Sequence, residues 1–229
     1  VMPELLIFGG TGTLGGAIKD RFAIEGWKLT CGTRSVKDSC DFLVPLDSKN
    51  LPEILKGKSF DAVVFAQGAN INDSVENHEQ AELLRLFEAN VSFISDHVKV
   101  LMEHDLIKSG GRVVILSSVW ELLTRQDKFA YTVTKAAVGG LVRSMAVDLG
   151  AAKGILVNGI LPGIVDTPMA RGLLKPEQMD AVQQRNDLIC GPCKPRYSRF
   201  ASWDDPRIAV SGHRDRSPHR LQYPDPISA

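Results

Sequence analysis

Long apolar runs are missing from this 229-residue sequence: none approaches the roughly 18 residues that a bilayer-spanning helix needs. Net charge is missing too, because 27 basic side chains cancel 27 acidic ones. That balance gives no footing for electrostatic capture of nucleic acid or of an anionic membrane. Cysteine is scarce. The four thiols, Cys31, Cys40, Cys190 and Cys193, are expected to be reduced in a cytoplasmic protein. The N-terminal PELLIFGG is broken by glycine too early to be expected as a signal peptide. Internal repeats are also lacking. What is present is an ordinary globular composition, 44% hydrophobic and 24% charged, in a chain long enough to bury one sizeable core.

Short apolar runs alternate with segments of helical period. Residues 4–8, 27–31, 42–46, 62–66, 112–117 and 155–160 read as buried strands. Residues 14–25, 50–56, 79–105 and 131–149 carry helical spacing; in the last, Val138, Leu141, Val142, Met145 and Leu149 mark one face. This alternation predicts the α/β class: a single Rossmann-like, doubly wound parallel sheet with helices on both faces. Ligands of such sheets sit at the carboxyl ends of the strands. The predicted domain covers residues 1–186. Beyond it, residues 187–229 read as an aberrant, irregular tail. From Lys194 to Ala229 seven Lys or Arg residues face four acids, and five prolines interrupt the stretch.

The first predicted strand runs into FGGTGTLGG. Gly10, Gly12 and Gly15 satisfy G-x-G-x-x-G, and Gly9, Gly12 and Gly15 satisfy G-x-x-G-x-x-G. Glycine serves where backbone turns tightly and approaches a pyrophosphate, and the following helix offers free N–H groups. The turn Gly9, Gly10, Thr11, Gly12, Thr13, Leu14 and Gly15 is therefore the candidate dinucleotide cradle; a ligand-free glycine turn is the plainer alternative. After the second strand no acid appears for ribose hydroxyls. Thr33, Arg34 and Ser35 stand there instead, a set that suits a 2′-phosphate, so NADP(H) is favoured over NAD(H). Asp47 is placed either to accept from the adenine amino group or to cap the next helix.

The reacting end centres on YTVTK. Tyr131 and Lys135 are four apart on a predicted helix and share a face. A nearby cation favours phenolate, which predicts a lowered Tyr131 pKa and a general acid–base role. Ser118 closes the fifth strand, on the same sheet edge as the glycine turn. Asn90 lies mid-helix among apolar neighbours, where a carboxamide needs hydrogen-bonding partners. Trp120 and Glu121, just beyond Ser118, are placed either to touch substrate or, as is commoner, to pack over or decorate a loop.

Gly9, Gly12, Gly15, Asn90, Ser118, Tyr131 and Lys135, with NGILPGIVDT at 158–167, resemble the short-chain dehydrogenase/reductase family over residues 4–185, nearest in flavour to 3-oxoacyl-carrier-protein reductases and related ketoreductases. The resemblance implies hydride transfer between nicotinamide and a carbonyl or secondary alcohol. It assigns proton exchange to Tyr131, pKa lowering and ribose binding to Lys135, and a substrate hydrogen bond to Ser118. Asn90 would hold a water that links Lys135 to solvent, and Pro162, Gly163, Ile164 and Thr167 would line the nicotinamide side. It also implies a homodimer through the 79–105 and 131–149 helices. Three departures stand out. Phe8 precedes the first glycine, and Thr13 occupies a family glycine position. FAQG replaces the usual polar turn, with Phe65 and Gln67 as the odd residues while Gly68 keeps the close backbone approach. The tail lacks the usual last helix and strand; an out-of-frame stretch and a divergent natural terminus both fit it. The alternative functions are a non-catalytic NADP(H)-binding protein and a truncated or frameshifted inactive reductase. CGPC at 190–193 spells a thioredoxin motif and, with His213 and His219, an outline of a zinc set, but the proline-broken surroundings fit neither, and no metal is expected.

Overall fold

The computed structural model describes residues 2–34, 41–43, 48–174 and 210–211. The elements run β1 (Glu4–Phe8), α1 (Thr13–Ile24), β2 (Lys28–Thr33), β3 (Phe42–Leu43), α2 (Leu51–Ile54), β4 (Phe60–Phe65), α3 (Gln80–Phe87), α4 (Phe93–Glu103), β5 (Ile107–Leu116), α5 (Phe129–Lys153), β6 (Leu156–Ile160), α6 (Pro168–Leu173) and β7 (Val210–Ser211). The sheet order is β3-β2-β1-β4-β5-β6-β7. Every pairing from β3 to β6 is parallel. The chain order reverses between β1 and β4, which opens a crevice at their carboxyl ends.

Period-two geometry explains why β1 is apolar throughout. Leu6 and Phe8 point into the larger core with Val98, Val138 and Val142. Leu5 and Ile7 point to the opposite face, where Ile18 of α1 covers them. Both faces are thus buried, as a parallel sheet wrapped by helices requires. Phe8 and Phe65, adjacent in register, stack at 4.9 Å, and Phe93 meets Phe8 edge-on at 5.6 Å. Phe65, odd as a sequence feature, is core.

Two elements differ from the sequence expectation. The helix expected over 79–105 is interrupted by a π-helical turn at Glu88–Ser92, centred on Asn90. The edge of β6, expected to lack a last strand, pairs antiparallel with Val210–Ser211. Two residues suffice for pairing where no long apolar run exists. Among the described residues, no helix is long and apolar enough to cross a membrane.

Candidate active site

The glycine turn packs too tightly for any other residue at two positions. Gly9 has φ +79°, and a Cβ there would lie 2.6 Å from Gln67 N. A Cβ on Gly15 would run into the Gly9 carbonyl oxygen, which is how α1 starts so close to β1. Gly10 turns inward instead: a Cβ there would lie 2.7 Å from Cys31 Sγ. The remaining turn residues, Gly9, Thr11, Gly12, Thr13, Leu14 and Gly15, line a cleft of about 680 Å³ that reaches Thr33 and Arg34 on one side and Gly68 and Thr167 on the other. Thr33 is buried and its hydroxyl lies 3.1 Å from that of Thr11, whereas Arg34 is exposed. Ser35 and Asp47 lie outside the described residues.

The four residues expected at the reacting end come together. Ser118 follows β5 and is buried; its hydroxyl accepts from Trp120 N at 3.3 Å and lowers the Tyr131 pKa. Lys135, one turn along α5, is 4% exposed; its ammonium donates to Leu116 O at 3.2 Å and lies 5.7 Å from the Tyr131 ring centre. Asn90 holds both backbone groups of one residue: its Oδ1 accepts from Ala69 N at 2.8 Å and its Nδ2 donates to Ala69 O at 3.0 Å. The same Nδ2 donates to Thr134 Oγ1 at 3.1 Å. Asn90 therefore stitches the chain after β4 to α5, and the π turn aims it there. A Cβ on Gly68 would lie 3.3 Å from Asn90 Oδ1 and 3.8 Å from Lys135 Nζ. Pro162 O accepts from Val119 N at 3.0 Å, tying the chain after β6 to the turn after Ser118. Thr167 caps α6 by accepting from Ala170 N at 3.1 Å and lines the cleft, whereas Gly163 is exposed and Ile164 half-buried.

The electrostatics correct one expectation. Burial pushes the Tyr131 hydroxyl above the usual phenol range, with only the Ser118 hydrogen bond pulling it down. Lys135 is desolvated in turn: burial lowers its pKa to about 8, against a raising effect of Glu121. Proximity at i, i+4 put the cation in place, but solvent exclusion decided the sign.

Residues 53–195, more than half of the chain, match the family model described as enoyl-(acyl carrier protein) reductase. The chain belongs to the short-chain dehydrogenase/reductase family. Among curated relatives, oxidoreductase UcpA of Escherichia coli K12 is 35% identical over 99 residues, 42% of this chain and 37% of that protein. The match thus spans well under half of the relative's length. Among solved structures, a short chain dehydrogenase family protein from Francisella tularensis superposes with a TM-score of 0.73 at 23% identity, covering 88% of this chain and 90% of that one. The 3-ketoacyl-(acyl-carrier-protein) reductase of Brucella melitensis, complexed with NADH, superposes with a TM-score of 0.72 at 19% identity over 89% of this chain and 91% of that one.

The cleft of this short-chain dehydrogenase/reductase fits a dinucleotide on its own features. The Gly9–Gly15 approach leaves backbone exposed where a pyrophosphate would lie. Gln67, which lines the cleft, buries both polar atoms of its carboxamide with no hydrogen-bond partner, and such groups are seldom left unpaired. Three contributors escaped the sequence reading. Gln67 is legible in the sequence only as a departure from the family turn. Asp73 accepts from Ala130 N at 3.0 Å through Oδ1 and from Phe129 N at 3.1 Å through its carbonyl, capping α5 from 57 positions away. Lys128 is 3% exposed, and its ammonium lies 5.6 Å from the Tyr131 ring centre. A basic residue at a helix start runs against the helix dipole, and that conflict is the signal that marks Lys128. Asp73, one acid in a polar loop, carries no such signal. The CGPC motif lies outside the described residues.

Proposed function

We propose that the protein is an NADP(H)-dependent oxidoreductase that interconverts a small carbonyl compound and its secondary alcohol. The observation that carries this reading is the convergence of Ser118, Tyr131 and Lys135 at the carboxyl edge of the sheet that also bears the glycine cleft. When bound, the nicotinamide supplies or accepts the hydride at the substrate carbon. Tyr131, kept protonated by burial, donates its hydroxyl proton to the substrate oxygen in the reduction direction. Ser118 holds that oxygen against Tyr131. Lys135, charged below about pH 8, binds the nicotinamide ribose hydroxyls and stabilises the tyrosinate left behind. Asn90 fixes the Ala69 backbone beside this pair and orders a water that returns the proton from solvent.

Arg34 and Thr33 support the preference for NADP(H), because an exposed guanidinium at the end of β2 suits a phosphate better than a diol. The fold leaves apolar residues exposed on the outer helices, Leu84 and Phe87 on α3 and Val133 and Val147 on α5, which supports a homodimer. The test is NADPH oxidation, followed at 340 nm, against a panel of ketones and aldehydes. Turnover is expected with at least one, falling about 10²–10⁴-fold in Tyr131→Phe with NADPH binding retained. A folded protein that binds NADPH yet turns over no member of the panel overturns the reading.

A further inference from the structure

Lys128 breaks a local rule and is compensated in full. It stands where the helix dipole of α5 repels a cation, and it is almost completely buried. Its ammonium nevertheless finds three acceptors in three consecutive residues: Asn70 Oδ1 at 3.0 Å, Ile71 O at 3.2 Å and Asn72 Oδ1 at 2.6 Å. An ammonium has three N–H groups, so none is left for a substrate. Burial lowers its pKa to about 8, with Arg125 adding to the fall and Asp73 and Asp127 opposing it. The group is therefore charged, and donating, at neutral pH. The next residue, Asp73, caps α5, so the chain at 70–73 is fixed to the helix start by side-chain and backbone bonds together.

The bonding continues outward. Asn72 Nδ2 donates to Leu173 O at 2.8 Å, bridging 101 positions. Leu173 is the last residue of α6, and the other end of that helix, Thr167, Pro168 and Met169, lines the cofactor cleft. A continuous set of contacts thus runs from the residue three before Tyr131, through Asn72, to the far end of the helix that borders the cofactor cleft.

We propose that Lys128 and Asn72 are positioning residues that tie α6 to the start of the catalytic helix and so set how closely the carbonyl substrate is held beside Tyr131. This inference rests on the carbonyl-reductase reading above. Neither residue touches substrate. The tie holds the far end of α6, at Leu173, whereas Thr167 at the cleft end is fixed within α6 by its own cap to Ala170 N, so substrate KM is expected to move more than cofactor affinity.

Asn72→Asp tests it. The aspartate keeps an acceptor for Lys128 but has no donor for Leu173 O. Three quantities are read: kcat and KM for the carbonyl substrate, NADPH Kd by fluorescence, and hydrogen exchange of residues 168–173. The expected result is a roughly five- to twentyfold rise in KM with kcat within about twofold, the size of one lost hydrogen bond. NADPH Kd rises less than KM, and exchange at 168–173 accelerates. Lys128→Gln is expected to raise KM similarly and also to lower kcat, because the start of α5 loosens beneath Tyr131; Lys128→Arg restores part of both. Should Lys128→Gln not fold, Asn72→Asp decides alone. Unchanged exchange at 168–173 overturns the tie, whatever the activity. Faster exchange with an unchanged KM overturns its positioning role. Faster exchange in a protein whose wild type reduces no carbonyl leaves the tie standing and overturns the reductase reading.

Discussion

The Lys135 ammonium lies 5.7 Å from the centre of the Tyr131 ring but donates to the Leu116 carbonyl. The pair is therefore adjacent without being bonded. Each group is desolvated, the phenol pushed up and the ammonium down. Both shifts favour the neutral forms, and the ammonium is the one that titrates near physiological pH.

A pH profile follows. Lys135 is protonated below about pH 8 and neutral above it. In the reduction direction, kcat/KM is expected to hold steady at neutral pH and fall as pH rises through about 8. A profile that rises through this range would contradict the role given to the cation.

Replacing that lysine separates activity from stability. Its folded pKa of about 8 lies below the ordinary lysine value of 10.5, so folding works against the charged form. That cost is present in full below about pH 8 and fades as pH rises toward 10.5. Lys135→Met is expected to abolish turnover and raise the thermal midpoint at pH 7, with the gain shrinking above pH 8. Thermal melts across that range check the sign.

Arg34 is expected to govern cofactor choice. Arg34→Ala should weaken NADPH binding by about ten- to a hundredfold, as for a lost charge-assisted hydrogen bond, and leave NADH nearly unchanged. Paired fluorescence titrations measure the ratio. An equal loss for both cofactors would place Arg34 away from the 2′-phosphate.

Asp73 caps α5 from outside the helix. Asp73→Ala removes the acceptor of Ala130 N and is expected to cost about 1–3 kcal/mol in urea unfolding. A cost near zero would mean that the backbone carbonyl of residue 73 caps the helix unaided.

The outer helices make the last test. Val147 is 71% exposed and Leu84 60%, apolar surface that a partner would cover. Val147→Asp combined with Leu84→Asp should convert a dimer to a monomer in light scattering. If the unmodified protein is already monomeric, those faces serve another purpose.

What the sequence determined by itself is what depends on neighbours along the chain. Strand and helix periods placed the sheet. The glycine turn was legible because close backbone approach forbids a Cβ at Gly9 and Gly15, and Tyr131 and Lys135 were legible because four residues make one helical turn. Tertiary structure decided the rest. The break in the 79–105 helix follows from Asn90 reaching Ala69, and the cap on α5 comes from Asp73. The Lys128 contacts join residues more than fifty positions apart. The direction of the Tyr131 shift also lay beyond the sequence, because spacing brings a charge near but only packing sets how much water remains around it.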